Sequence, residues 1–406
     1  MKTKYTNILL LLSSLLITYL AVEFLVFKHF IRDLPLNRHI FLPESVQLFA
    51  QSSKRGVIPE KDYIAIFGDS YALGYGDWLF SIDPNKNPAF HSAHVLHELT
   101  GKDIVSFGKS NRGSLGGIVL EPIKKYQYIH NLIFYEIPKP STIIIYFYEG
   151  NDLDDNLKHI RRKYTGRYDA DRIFDHDYFE IFIDDSVKEM TSFNVFKNFI
   201  FGRFICSIVA KNISSVIPAL EDEKENNTGM NEKQNEDLIK DTNKAAIGNT
   251  TVTLPPFLQG PSLGLDNAQM KLALYVLDQS LRYIKNYFKE TRYVVAYIPS
   301  VISSYDIVSQ YVSDAQSDNQ LYLTKDMYNH GNYIADNVKH LTEKNGMYFI
   351  DTRPDLRNAS GKEIIHGPND WEHLNKKGYQ VLARSVFEGL KKLDLGSKAE
   401  NNALLP

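Results

Sequence analysis

A serine and a distant aspartate–histidine pair are the residues of this sequence that could carry out covalent chemistry. Ser70 follows Gly68 and Asp69, and His373 follows Asp370 by three residues. A serine hydroxyl becomes a good nucleophile only when a base takes its proton, and histidine suits that task near neutral pH. The imidazole needs an acceptor on its other nitrogen, which Asp370 could provide. The three residues predict acyl chemistry, although an aspartate cap and a surface histidine at a helix start would give the same pattern.

Two further segments could supply the hydrogen-bond donors that a developing oxyanion needs. Gly108 and Asn151 each follow an apolar run, as Ser70 does. The backbone N–H groups of Ser70 and Gly108 and the side-chain NH2 of Asn151 would make three donors. Asn151 also lies in a Gly-Asn-Asp sequence that is common in turns, so it could instead tie loops together.

Apolar runs and helical patterns alternate along the chain and form the scaffold for these residues. Five short runs are rich in β-branched and aromatic residues: Tyr63–Phe67, Asp103–Phe107, Thr142–Tyr148, Tyr293–Ile298 and Met347–Ile350. Helical patterns separate them near Ala89–Leu99, Met270–Phe288, Met327–Lys344 and Lys376–Lys391. This alternation predicts parallel βαβ units in a doubly wound α/β fold. Ligands of such folds bind outside the carboxyl ends of the strands, where the residues above fall.

The four segments that carry these residues resemble the sequence blocks of the SGNH (GDSL-type) hydrolase superfamily. They are Gly68-Asp69-Ser70-Tyr71, Ser106-Phe107-Gly108, Tyr148-Glu149-Gly150-Asn151-Asp152 and Asp370-Trp371-Glu372-His373-Leu374-Asn375. Each block is weak alone, whereas all four in this order are specific. The second block often begins with Asn in this superfamily, and this chain has Ser106 there.

The resemblance implies a three-layer αβα sandwich with a five-stranded parallel sheet of flavodoxin-like topology. It implies Ser70 as the nucleophile, His373 as the base and Asp370 as the residue that orients the base. It also implies an oxyanion hole formed by Ser70, Gly108 and Asn151. The superfamily acts on esters, acetylated sugars and lipids without a metal, so we expect no metal and no other cofactor.

The N-terminus predicts a membrane anchor over residues 1–33. Ile8–Phe27 is a twenty-residue apolar stretch that contains one charge, Glu23, and about twenty such residues span a bilayer core. A cleaved signal peptide is the alternative, but the stretch is long and has no good cleavage site. Glu23 could be tolerated near the interface or contact another membrane protein. Flanking charges do not decide the orientation, and we expect an extracytoplasmic catalytic domain, periplasmic or at the cell surface.

The remainder is expected to form one hydrolase-like domain over residues 55–395 with an insertion at 157–260. Residues 221–251 are polar and almost free of aromatic side chains, so they predict a disordered loop. The 46 Lys and Arg residues nearly balance 49 Asp and Glu, which gives no basic excess for nucleic acid. The single cysteine, Cys206, excludes an intramolecular disulfide and a Cys-based zinc site.

Other candidate residues have plainer interpretations. His366 is a rival base, but no aspartate stands three residues before it. The helically spaced His91, His94 and His97 could bind a metal, but no carboxylate pattern completes such a site, and a packed or solvated helix is the better interpretation. Aromatic residues flank the blocks and could stack on sugar rings or fill the core: Tyr71, Trp78, Trp371 and Tyr379.

Three functions follow from these observations. The first is a membrane-anchored serine esterase that acts on O-acyl groups, above all O-acetyl groups, of a carbohydrate or lipid. The second is an O-acetyltransferase domain that modifies an envelope polysaccharide with the same site and receives acetyl groups from a membrane acyltransferase partner. The third is a non-catalytic carbohydrate-binding or assembly module, which should lack at least one catalytic group, yet all of them are present.

Overall fold

A parallel β-sheet of five strands forms the centre of the fold. The computed structural model describes residues 2–27, 62–76, 92–130, 137–192, 199–216, 241–315 and 320–403. The described strands are β1 (Ile64–Gly68), β2 (Ile104–Ser106), β3 (Thr142–Tyr148), β4 (Lys244–Ile247), β5 (Thr250–Thr253), β6 (Arg292–Ile298), β7 (Asp306–Ile307), β8 (Tyr311–Ser313), β9 (Leu321–Leu323) and β10 (Tyr348–Asp351).

Helices connect most of these strands. The described α-helices are α1 (Lys2–Ala21), α2 (Ser70–Leu73), α3 (Ser92–Thr100), α4 (Glu121–His130), α5 (Asp152–His159), α6 (His176–Thr191), α7 (Ile200–Val216), α8 (Asn267–Tyr287), α9 (Thr324–Lys344), α10 (Arg353–Ser360) and α11 (Lys376–Ala403). Three π-helical segments adjoin them: Val22–Val26 after α1, Leu115–Leu120 before α4 and Ile160–Tyr164 after α5.

The strand order of the central sheet creates a crevice beside β1. The order is β10-β6-β3-β1-β2, and all neighbouring pairs are parallel. The chain therefore runs from β1 to β2 on one side and then returns to β3 on the other. Ligands of open α/β sheets bind where the order reverses in this way. Here that place is the gap between the carboxyl ends of β1 and β3.

Apolar side chains on both faces of the sheet explain why helices cover it on both sides. On β1, Ala65 and Phe67 belong to one buried cluster, whereas Ile64 and Ile66 belong to the other. The first cluster includes residues of α4 and α8, and the second includes residues of α3 and α11. Successive residues of a strand point to opposite faces, so strands that are apolar throughout require cover on both. The prediction of an α/β fold with a five-stranded parallel sheet is confirmed, and each predicted strand boundary lies within one residue of the observed one.

The expected insertion at 157–260 forms part of the main core. Tyr164, Phe179 and Phe182 from this region are buried in the same cluster as α8. Residues 217–240, which include most of the segment expected to be disordered, lie outside the described residues. The expectation of disorder fails after that point, because β4 and β5 form an antiparallel hairpin that pairs with β7. Ala245 and Ile247 of β4 are buried. These two apolar side chains hold the hairpin against the core, although its other residues are mostly polar.

The N-terminal segment contains one helix, Tyr5–Val26, that is long and apolar enough to cross a membrane, as an anchor or a signal sequence would be. Glu23 near its end is 5% exposed. Its carboxylate accepts hydrogen bonds from the N–H groups of Phe201 (2.8 Å) and Gly202 (3.0 Å) and from the hydroxyl of Tyr19 (2.9 Å). The Glu23 carboxylate therefore finds its hydrogen-bond partners within the chain, mainly at the first turn of α7. Contact with a second membrane protein is not needed to explain this buried charge.

Candidate active site

Ser70 is placed at the carboxyl end of β1 by a tight turn that requires glycine. Gly68, the last residue of β1, has a φ of +142°, and a Cβ on it would lie 2.6 Å from the carbonyl oxygen of Tyr146 on β3. Asp69 caps the short helix α2, since its carboxylate accepts the N–H of Tyr71 at 2.9 Å. Ser70 therefore begins α2 at the crevice, with 4% of its surface exposed.

The structure brings Ser70, His373 and Asp370 into direct contact. The Nε2 atom of His373 lies 2.8 Å from the Oγ atom of Ser70, which is 303 residues away in the chain. The Nδ1 atom of His373 lies 2.8 Å from Oδ2 of Asp370. Both are ordinary hydrogen-bond lengths, so no movement is needed for proton exchange between the serine and the imidazole.

These contacts determine which nitrogen of His373 should carry the proton in the resting site. An ionised carboxylate only accepts hydrogen bonds, so Nδ1 must be the donor to Asp370. The Nε2 atom of the neutral ring is then the acceptor for the Ser70 hydroxyl, as a general base requires. Burial alone would raise the pKa of Asp370, but its hydrogen bond to His373 and the imidazolium charge outweigh burial and hold that pKa below its ordinary value.

A short turn before α11 holds the aspartate and the histidine together. The backbone N–H of Glu372 donates to Oδ1 of Asp370 at 3.1 Å, which leaves Oδ2 for the imidazole. The hydroxyl of Tyr71 donates to the carbonyl of Glu372 at 2.9 Å and so ties α2 to this turn. The rings of Tyr71 and Tyr75 lie 5.5 and 5.8 Å from the imidazole. The relative position of Ser70 and His373 is therefore fixed by packing as well as by their own hydrogen bond.

Asn151 lies at the carboxyl side of β3 with a side chain that the rest of the protein does not use. It immediately precedes α5 but makes no side-chain cap. Its Oδ1 atom is buried, and no hydrogen bond joins its side chain to another residue in the described ranges. A role in tying loops together would need such bonds, so this interpretation finds no support, and the side-chain NH2 group is left available to a ligand.

The N–H of Gly108, the third predicted oxyanion donor, already has a hydrogen-bond partner. A Cβ at this position would lie 2.3 Å from the backbone nitrogen of Leu73, so glycine allows the loop to approach α2 closely. The N–H of Gly108 donates to the hydroxyl of Ser106 over 3.3 Å, and that hydroxyl donates in turn to the carbonyl of Ala72. Gly108 can therefore contact an oxyanion only by sharing or exchanging this long hydrogen bond. Ser106, the departure from the superfamily pattern, fastens the loop to α2.

A second carboxylate, that of Asp69, also lies near the Ser70 hydroxyl, and the sequence predicted no catalytic role for it. Asp69 is fully buried, and burial raises its pKa to about 6, against the lowering effect of the Tyr71 N–H and the charge of His373. Its Oδ2 atom lies 3.3 Å from the Ser70 hydroxyl, which is longer than the contact to His373. Burial raises the pKa of Asp152 as well, and the charge of Asp69 adds to that increase. In the sequence Asp69 stood out only as a member of the Gly68-Asp69-Ser70-Tyr71 block.

The other candidate residues from the sequence lie away from Ser70, have other partners or fall outside the described residues. His366 is buried, its Nδ1 lies 3.1 Å from the Tyr305 hydroxyl, and burial lowers its pKa to about 3. His91 and Trp78 lie outside the described residues, and within the described ranges no cluster of three or more metal-ligating side chains occurs. Of the aromatic residues that flank the blocks, Tyr71 and Tyr379 are fully buried core residues, and Trp371 is half-buried.

Comparison of the chain with protein-family models finds no match. Comparison with curated proteins finds none either.

Proposed function

We propose that this protein is a membrane-anchored serine esterase of the SGNH type that hydrolyses O-acyl esters, above all O-acetyl esters, of a carbohydrate or lipid. One observation carries the proposal: hydrogen bonds of 2.8 Å join Ser70 to His373 and His373 to Asp370. This chain of contacts lies at the point of the sheet where ligands of α/β folds bind. The proposal includes an extracytoplasmic catalytic domain, with residues 1–33 as the membrane anchor.

The first half of the reaction acylates the serine. The Oγ atom of Ser70 attacks the ester carbonyl carbon while its proton passes to Nε2 of His373. The oxyanion that forms accepts hydrogen bonds from the N–H of Ser70 and the side-chain NH2 of Asn151. The N–H of Gly108 also donates to it when that group gives up its hydrogen bond to the Ser106 hydroxyl. The imidazolium then returns the proton to the departing alkoxide, so an alcohol leaves and an acyl group remains on Ser70.

The second half releases the acyl group to water. His373 takes a proton from a water molecule, the hydroxide attacks the acyl carbon, and the imidazolium returns the proton to Oγ of Ser70. Asp370 stabilises the imidazolium in both halves. An O-acetyltransferase would use the same groups with a sugar hydroxyl in place of water. The apolar helix Tyr5–Val26 is what favours this second candidate, because it could bring the site to a membrane acyl donor.

Covalent labelling tests the proposal. A fluorophosphonate probe should attach to Oγ of Ser70, with fluoride as the leaving group, and peptide mass spectrometry should locate it there. The Ser70→Ala protein should not be labelled, and His373→Ala should be labelled far more slowly. Undiminished labelling of Ser70→Ala, or none of the unaltered protein, would contradict the proposal. Supplying sugar acceptors with an acetyl donor then separates the candidates, since a transferase forms acetylated sugar faster than free acetate.

Replacing Asn151 with alanine should lower kcat for an activated acetyl ester by about 10²–10³-fold and leave KM nearly unchanged, because its amide would be used only when negative charge develops. Initial rates of p-nitrophenyl acetate hydrolysis give both constants. Asn332→Ala, a substitution on α9, is the matched control and should leave kcat unchanged. A change confined to KM would show that Asn151 binds substrate instead.

A further inference from the structure

A cleft of about 610 Å³ opens beside α5, the helix that follows Asn151. We call it the basic cleft. It is lined by Asn111, Arg112, Gly113, Gly116, Leu120, Glu121, Asp155, Lys158, His159, Arg162, Lys163 and Met190. A volume of this size is typical of small-molecule binding sites.

The inner wall of the basic cleft is continuous with the segments that carry the oxyanion donors. The loop after Gly108 is held against β1, since the N–H of Lys109 donates to the carbonyl of Gly68 at 3.1 Å. At Gly113 the same loop meets α5 so closely that a Cβ would lie 2.6 Å from the carbonyl of Asp152. Asp155 lies one helical turn after Asn151. The cleft therefore begins one helical turn beyond Asn151 and along the loop that follows Gly108.

Positive charge exceeds negative charge along the basic cleft. Its lining holds four cationic side chains and two carboxylates, Glu121 and Asp155. Glu121 pairs with Arg112 at 3.4 Å, and Asp155 pairs with Lys158 at 2.9 Å. The third cation, Lys163, pairs with Glu189 at 3.3 Å, outside the lining. Arg162 has no ion-pair partner in the described part of the chain and is exposed. Its guanidinium is free to bind a carboxylate or phosphate through two parallel hydrogen bonds.

A buried group on the wall also lacks a partner. The Nε2 atom of His159 is buried and forms no hydrogen bond with the described residues. Burial and the neighbouring charge of Arg112 lower the pKa of His159 to about 4, so the ring is neutral at pH 7 and adds hydrogen-bonding capacity without charge. An unpartnered polar atom beside a cleft of unbalanced positive charge is consistent with a polar anionic ligand.

The lining disfavours an acyl chain as the occupant. Only Leu120 and Met190 contribute large apolar side chains to the basic cleft. A fatty chain gains free energy from apolar contact and would bury these charged groups unfavourably. A sugar, by contrast, offers hydroxyl groups to a polar wall, and an acidic sugar could also pair with Arg162.

We propose that the basic cleft binds the anionic glycan part of the substrate, with Arg162 as a principal contact to its acidic groups. The proposal rests on the proposed function, because it takes the glycan to be the alcohol part of the ester cleaved at Ser70. The recognised feature is a sugar chain that carries negative charge close to its acylated hydroxyl.

Binding of defined oligomers by the full chain in detergent tests this inference. Isothermal titration should show that oligogalacturonate binds and that its fully methyl-esterified, neutral form binds at least about tenfold more weakly, the loss expected for one charged contact. Arg162→Gln should weaken binding of the acidic oligomer about tenfold and not affect the neutral form. Arg282→Gln, at an exposed arginine of α8 that does not line the cleft, is the matched control and should change nothing.

A second arm uses poly(glycerol phosphate), which distinguishes phosphate from carboxylate as the bound group. Binding of either anion that Arg162→Gln weakens supports the inference. Equal binding of charged and neutral oligomers, or no effect of Arg162→Gln, overturns it. Hydrolysis of p-nitrophenyl acetate by the unaltered protein and by Ser70→Ala reports on the proposed function separately, so a failure of glycan binding and a failure of esterase activity can be told apart.

Discussion

Replacing Ser70 with alanine should lower kcat for p-nitrophenyl acetate by at least about 10⁴-fold, to the residual rate that binding and oxyanion donors alone support. His373→Ala should cause a loss of the same order. Nε2 of His373 lies 2.8 Å from Oγ of Ser70, so the two residues act on one proton. Residues that act as a unit are not additive, and the double variant should therefore be no slower than either single variant.

Initial rates over a range of substrate concentrations, measured on the full chain in detergent, give these constants. Ser207→Ala, at an exposed position of α7, is the matched control and should retain full activity. Circular dichroism of each variant checks that the fold is intact. A Ser70→Ala protein with kcat within tenfold of the unaltered protein would remove serine catalysis from consideration. Additive losses in the double variant would show that Ser70 and His373 act in separate steps.

The central sheet could be predicted because its strands are defined by local composition. A run such as Ile143-Ile144-Ile145 can be satisfied only where both faces of the strand are buried, and β3 occupies the middle of the sheet. The same reasoning placed Ser70 and Asn151 at strand ends, on either side of the crevice between β1 and β3. Boundaries agree to one residue because glycine, proline or a polar residue follows each run.

The meeting of Ser70 with His373 and Asp370 was expected from the resemblance of the four blocks to the superfamily. The aspartate–histidine pair alone would fit a capped helix start equally well. The hydrogen bond from the Tyr71 hydroxyl to the carbonyl of Glu372 was not predicted. Its two partners are 301 residues apart, so no local sequence pattern indicates it.

Other features depend on tertiary contacts in the same way. The occupied N–H of Gly108 follows from the position of the Ser106 hydroxyl, which the sequence does not fix. Glu23 finds its partners at the first turn of α7, far along the chain. The basic cleft joins Arg112 with residues of the segment after α5, so its charge is invisible to any single window of sequence. Composition wrongly predicted disorder at 244–251, where burial of Ala245 and Ile247 outweighs the polar residues around them.

Replacing Asp370 with asparagine should lower kcat by about 10⁴-fold while the turn stays folded. The asparagine Oδ1 can still accept the N–H of Glu372, as Oδ1 of Asp370 does at 3.1 Å. Its NH2 group would face Nδ1 of His373 and make that nitrogen an acceptor. The proton of the neutral ring would then lie on Nε2, which could no longer take the proton of Ser70.

The pH dependence of stability separates this electrostatic role from a purely structural one. The pKa of Asp370 is lowered in the folded protein, so its contact with His373 stabilises the fold fully above the ordinary aspartate pKa of about 3.9 and loses that effect as the pH falls further. Asp370→Asn removes this contribution, and its free energy of unfolding should therefore be lower than that of the unaltered protein above about pH 4, with the difference shrinking below it. Urea unfolding between pH 3 and pH 8 measures the difference. Asp336→Asn, at an exposed acid in the middle of α9, is the control for both experiments. An Asp370→Asn protein with kcat within tenfold of the unaltered protein would leave Asp370 as a cap of the turn, and His373 would have to hold its tautomer without it.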